Sequence, residues 1–152
     1  MEIDKVKLEN IIQDVLAQYL SEKQGLRTSF EKQVETRSGV MAVKTDRVKP
    51  EPFDTGKEGD KVFLKNFMTL EESPRVAFGV MEMTQTTFEW TLNYDEVDVV
   101  LEGSLSIVVN GQTLTAGKGE VIFIPKNTTI EFSVPDHAKF IYMTYPANWS
   151  EL

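Results

Sequence analysis

Two hydrophobic periods divide this chain. Between residues 4 and 24, Leu8, Ile11, Ile12, Val15, Leu16, Tyr19 and Leu20 recur three and four residues apart, the spacing of one helix face. Asp4 is placed to cap the start, Ile3 and Leu8 to staple it, and Gly25 to stop the helix. The stripe predicts a helix that packs on its own domain or on a second subunit, or docks into a partner's groove. Residues 26–39 are polar with little periodicity and read as a linker. From residue 40 the period falls to about two. Val40–Lys44, Val48–Phe53, Val62–Thr69, Arg75–Thr84, Thr87–Leu92, Glu96–Leu101, Ser104–Val109, Gln112–Ala116, Glu120–Ile124, Thr129–Val134 and Ala138–Tyr145 are rich in Val, Ile, Phe, Thr and Tyr and read as short strands. Asn110-Gly111 is a strong hairpin signal, because a type I′ turn needs two residues that accept positive φ. The expected organisation is an N-terminal helix over 1–25, a linker over 26–39 and an all-β antiparallel sandwich or barrel over 40–152.

Charge and composition narrow the chemistry. Asp plus Glu outnumber Lys plus Arg by 24 to 16 in 152 residues, a formal net charge of −8. A nucleic acid or anionic membrane partner requires a basic surface, so neither is expected. Cysteine is absent, which excludes a disulfide frame, a thiolate nucleophile and a zinc-thiolate site. No apolar signal core follows a basic start, and the chain reads as cytosolic. There is no Gly-x-x-x-x-Gly-Lys-Ser/Thr loop, and Gly117-Lys118-Gly119 is too short to cradle phosphates.

Two short motifs carry a resemblance. Glu96 is followed by six residues and Gly103, and Gly119 by five residues and Pro125, with the Asn110-Gly111 turn between them. This pattern resembles the two motifs of the cupin superfamily, a small jelly-roll barrel. The cupin metal histidines do not appear. Their positions fall near Glu89 and Thr91, or Trp90 and Leu92 in a shorter spacing, and at Ile130; the second motif's later glycine falls at Asn127. Only Glu96 remains of the ligand set, so the resemblance implies no iron, manganese or nickel centre. Over the whole chain the sequence is similar to the EutQ family of bacterial ethanolamine utilisation. The carrying features are Phe53-Asp54-Thr55-Gly56, the His-poor run Glu89 to Glu96, Leu101-Glu102-Gly103, Ile124-Pro125 and the strand Phe140–Pro146. That resemblance implies a cupin barrel with acetate kinase activity, interconverting acetyl phosphate plus ADP and acetate plus ATP. It also implies association with a bacterial microcompartment and a homodimer.

The motif glutamate of cupins points into the barrel. Alternation then turns Asp98 inward with Glu96, and Glu89 sits at a ligand position. Glu96, Glu89 and Asp98 are the expected catalytic acids. With Glu82 they form the expected metal set, whose oxygens suit Mg²⁺ arriving with ATP or ADP. A solvated acidic strand is the plainer reading of the same residues. Tyr94 and Tyr142 are expected to line a pocket, since each offers a hydroxyl to orient a ligand. Lys126, with Lys61 and Arg75, is a candidate phosphate contact. His137, in Pro135-Asp136-His137-Ala138, reads as an exposed turn residue.

Overall fold

The computed structural model describes residues 5–23, 26–28 and 32–152, with side chains described for 5–20 and 32–152. The expected cap at Asp4, staple at Ile3 and stop at Gly25 lie outside the described residues. The chain forms two compact units, Met1–Val48 and Lys49–Leu152.

The first unit holds helix α1 (Lys5–Lys23) and a three-stranded antiparallel sheet of β1 (Leu26–Thr28), β2 (Lys32–Glu35) and β3 (Met41–Val43). Segment 26–39, expected as a linker, therefore carries two strands. They are only three and four residues long, too short to register as alternation, and Val34 is the buried residue of β2. The β2–β3 turn is built by Glu35, whose carboxylate accepts bonds from the Arg37 and Ser38 amides and the Ser38 hydroxyl. The apolar stripe of α1 is exposed: Ile11 is 58% and Val15 59% accessible.

The second unit is a single antiparallel sheet folded around one core. Its order is β4 (Glu51–Pro52), β5 (Val62–Asn66), β6 (Ala77–Leu92), β10 (Thr128–Tyr145), β7 (Asp95–Val109), β8 (Gln112–Gly117), with β9 (Val121–Ile124) pairing the first half of β7. The expected hairpin at Asn110-Gly111 joins β7 to β8, and both residues have positive φ.

Three pairs of expected strands are continuous. β6, β7 and β10 each run 15 residues or more and are interrupted at one level. Gln85 takes a φ of 46°, and Pro135-Asp136 bulges out where the β10 register shifts against both neighbours. Gly103 (φ 69°) lies under that bulge, where a Cβ would stand 1.9 Å from the His137 carbonyl oxygen. Bulges demand the same residues as chain-reversing turns, so each looked like a strand end.

The interior is filled by side chains, as expected for a small barrel. Phe88 stacks on Phe132 at 5.3 Å, and Phe132 on Phe140 at 6.5 Å. Met83, Leu92, Leu105 and Phe140 are fully buried. Aromatic pairs of this kind contribute about 1 kcal/mol beyond the area they bury.

Candidate functional site

Glu96 and Asp98 are two apart on β7, so they share a face, and the face is the interior. Glu96 is 4% and Asp98 0% accessible. The antiparallel register sets each in a row that crosses the sheet. Glu96 lies between Thr144 of β10 and Ile124 of β9. Asp98 lies between Tyr142 and Ile122, and the row continues from Tyr142 to Gly79 and Asn66. Gly79 offers no side chain, which leaves room for the Tyr142 ring to lie across it; the Tyr142 hydroxyl donates to the Asn66 side-chain oxygen.

Above this floor is a cavity of about 10 Å³ lined by Glu96, Tyr94, Tyr142 and aromatic rings, enough for on the order of one water. Trp90 donates from Nε1 to the Tyr94 hydroxyl at 2.9 Å, which leaves the Tyr94 proton for another acceptor. Trp149, from the C-terminal turn Trp149–Glu151, packs on Tyr94 at 5.5 Å and on Phe53 and Tyr142 at 6.3 Å. Among the described residues, no Lys, Arg or His lines this space.

The electrostatics follow from burial. Glu96 Oε1 and both Asp98 oxygens have no permanent donor. The hydrogen bond open to the pair is the one that Glu96 and Asp98 make with each other, which requires a proton on one of them. Loss of water pushes Glu96 up to about 8, offset in part by that bond. Loss of water, and then the neighbouring Glu96 charge, pushes Asp98 well above the carboxylate range. Two carboxyls out of water with no cation cannot both ionise. Tyr94 and Tyr142 are raised too, first by burial and then by Glu96, so both remain donors.

The expected four-acid cluster is corrected by this geometry. Glu89 is exposed and faces Glu131 across the β6–β10 ladder, on the side carrying the Thr87–Ser133 and Thr91–Thr129 hydroxyl pairs. Phe88, Trp90 and Leu92 take the inward positions on β6, so the shorter motif spacing holds. Glu82 also lies apart and pairs with His137 Nε2 at 3.1 Å. His137 is thus a half-buried strand residue beside the bulge rather than an exposed turn residue. Among the described residues, no three His, Cys, Asp or Glu side chains converge to hold a metal. The Glu96–Asp98 pair alone does not fit Mg²⁺, which keeps several waters in a near-octahedral shell where there is space for about one. Lys61, Arg75 and Lys126 are exposed, and the Lys126 amide donates to Asp95. Tyr94 and Tyr142 do line the pocket. Asn66, Gly79 and Trp149 had no signal in the sequence, because the row and the returning C-terminus exist only in three dimensions.

A jelly-roll sheet closed over an inward motif glutamate defines a cupin. The cupin domain of Cnp3 from Schizosaccharomyces pombe superposes with a TM-score of 0.57 over 72% of this chain and 77% of its own, at 15% identity, which bears on the fold alone. The family is narrower: the model for "Ethanolamine utilisation protein EutQ" matches residues 3–151, and the chain belongs to the EutQ family. It is 44% identical over 151 residues to "Acetate kinase EutQ" of Clostridioides difficile, covering 97% of this chain and 95% of the relative. The solved Clostridium difficile EutQ protein superposes with a TM-score of 0.76 at 49% identity, covering 81% of this chain and 92% of that one.

Proposed function

We propose that this chain is an acetate kinase of ethanolamine utilisation, interconverting acetyl phosphate plus ADP and acetate plus ATP. The observation that supports this reading is the 44% identity, sustained along 97% of the chain, to the Clostridioides difficile relative of that name. In the transfer, the bond from phosphorus to the acetyl oxygen breaks as a bond to the terminal ADP oxygen forms. The electron pair stays on the acetyl oxygen, which becomes a carboxylate. Such chemistry is mostly positioning and charge stabilisation. A cavity without cations suits the acetyl end alone, so the phosphates and nucleotide stay outside it. Mg²⁺ comes as part of the nucleotide substrate. Exposed Lys61, Arg75 and Lys126 are the proposed phosphate contacts.

Purified protein in a coupled assay should form ATP from acetyl phosphate and ADP, and chelation of Mg²⁺ should abolish it. No ATP above the protein-free rate would remove the kinase reading. The lack of any Lys, Arg or His among the described residues lining the cavity favours one alternative, a non-catalytic microcompartment-associated scaffold or metabolite-binding cupin.

We further propose that the barrel pairs with a second copy and that α1 docks to shell or core proteins of a bacterial microcompartment in the cytoplasm. Among the described residues, no helix is long and apolar enough to cross a membrane. Support for the pairing comes from an outward apolar row of Met143, Val97 and Phe123, in which Phe123 is 61% accessible. Support for docking is the exposed stripe of α1. Light scattering should give twice the chain mass, with or without residues 1–30. Co-sedimentation with shell proteins should need those residues. A one-chain mass, or co-sedimentation that survives the deletion, would contradict these two assignments.

A further inference from the structure

Within the kinase reading, on which this inference rests, the carboxyl pair has a chemical role distinct from metal binding. We propose that Glu96, with Asp98 behind it, acts as a hydrogen-bond donor that together with the Tyr94 hydroxyl binds the carboxyl end of acetate and of the acetyl group, and that Trp149 is the side chain that moves to admit it.

Three observations carry this. The first is direction. Glu96 Oε1 and both Asp98 oxygens are buried without a permanent donor. An ionised pair would leave these acceptors unmatched, whereas a protonated pair presents O–H groups that need an acceptor. The charged and titratable groups facing the pair settle which form the fold supports. From the turn before β7 comes Tyr94 and from β10 come Tyr142 and Thr144; β9 presents only Ile122 and Ile124, and β6 presents Phe88 and Trp90. None is a cation. A buried carboxylic acid held neutral beside a tyrosine is a known means of donating a hydrogen bond to a developing oxyanion.

The second observation is ligand shape. The walls beside these polar groups are rings, Phe88, Trp90, Phe132 and Trp149. A methyl group next to a carboxylate matches apolar walls over a polar floor. A phosphate or nucleotide does not match them, since it would need cations. The donors would strengthen their bonds as charge reaches the leaving acetyl oxygen, which is the form of stabilisation that accelerates a step.

The third is access. About 10 Å³ does not admit acetate, which requires roughly two waters' worth of space. Trp149 belongs to a three-residue turn whose following residue, Leu152, accepts a bond from the Asn93 side chain through its carbonyl. Its ring is held over the cavity by packing on Phe53, Tyr94 and Tyr142.

The test uses the full chain. Its two tryptophans are Trp90 and Trp149, and both line the cavity, so selectively excited tryptophan fluorescence reports this space. Titrating acetate should shift the emission and saturate, with affinity falling as pH rises through about 8, whereas ethylammonium should not bind. Glu96→Gln keeps a donor without a titrating proton and should bind acetate with a flatter pH profile. Glu96→Leu keeps the volume, removes the donor and should weaken binding on the order of 10-fold or more. Failure of acetate to saturate in the wild type overturns the proposal whatever the variants do. So does acetate binding that is lost in Glu96→Gln or unchanged in Glu96→Leu, or preference for the ammonium. ATP formation is measured separately. Acetate binding without ATP formation removes the kinase reading and leaves the carboxylate site standing, and ATP formation without it removes the site alone.

Discussion

Glutamine at position 96 is expected to make the folded chain more stable above pH 8 than the wild type, by several kcal/mol. In the wild type, the folded pair holds a proton that the unfolded chain releases near pH 4.5, because burial keeps Glu96 up to about 8, and burial and then the Glu96 charge keep Asp98 well above the carboxylate range. The folded state therefore binds more protons than the unfolded state across that window, and stability falls as pH rises through it. The favourable contribution is full below about pH 4.5 and gone above the folded value. Each unit of difference is worth about 1.4 kcal/mol. Glutamine fills the same volume and does not ionise, so it removes the decline due to Glu96 and the repulsion on Asp98. Chemical denaturation at pH 5, 7 and 9 on both proteins isolates this term from every other titrating group. The wild type should lose stability relative to the variant at each step, with the melting temperature separated by on the order of 10 °C at pH 9. Parallel pH profiles, or a wild type that gains on the variant as pH rises, would mean that Glu96 is ionised in the fold and compensated by a partner.

The limits of reading this fold from sequence have physical causes. The period change at residue 40 and the Asn110-Gly111 hairpin were legible because both are local. Strand continuity was not. Gln85, Gly103 and Pro135-Asp136 satisfy local rules for ending a strand, and only the pairing across β6, β7 and β10 makes them bulges at one level. The same ambiguity displaced Glu89. Counting by two along β6 gives two faces but does not say which is inside. The rings of Phe88 and Trp90 decided it, since burying them is worth far more than burying a carboxylate. Glu96 and Asp98 were found because the motif glutamate supplied the missing sign, and Asp98 followed at two residues' distance. Nothing local marked the four charged positions as dispersed, because Glu82 and His137 meet only across the β6–β10 ladder, 55 residues apart in the chain. Trp149 escaped for the same reason: its partners Phe53, Tyr94 and Tyr142 are supplied by three separate segments.

Alanine at Gly79 is expected to be the most damaging single methyl group in the barrel floor. Gly79 has ordinary strand geometry, so the cost is not one of backbone conformation; it is space. A Cβ there would stand 2.3 Å from the Lys65 carbonyl oxygen and 2.5 Å from the Tyr142 hydroxyl. Both contacts are far inside van der Waals separation. The carbonyl belongs to the paired strand β5 and cannot swing away, while Tyr142 is 1% accessible and has no alternative cavity to enter. Relief requires β5 to part from β6 or the Tyr142 ring to leave the row, which breaks its bond to Asn66 and opens the space beside Asp98. Overpacking of a rigid site costs about 1–3 kcal/mol. A fixed backbone partner and a broken buried hydrogen bond place this case at the upper end or beyond it. Removing the hydroxyl in the same chain, Gly79→Ala with Tyr142→Phe, should recover only part of the loss, because the Lys65 carbonyl remains. Urea denaturation of the two single variants and the double variant supplies the comparison. A Gly79→Ala midpoint equal to that of the wild type would show that the Tyr142 ring does not lie across Gly79. Full recovery in the double variant would show that β5 yields and that the ring alone sets the cost. With β5 unyielding, the acid pair keeps its place because a residue on another strand has no side chain.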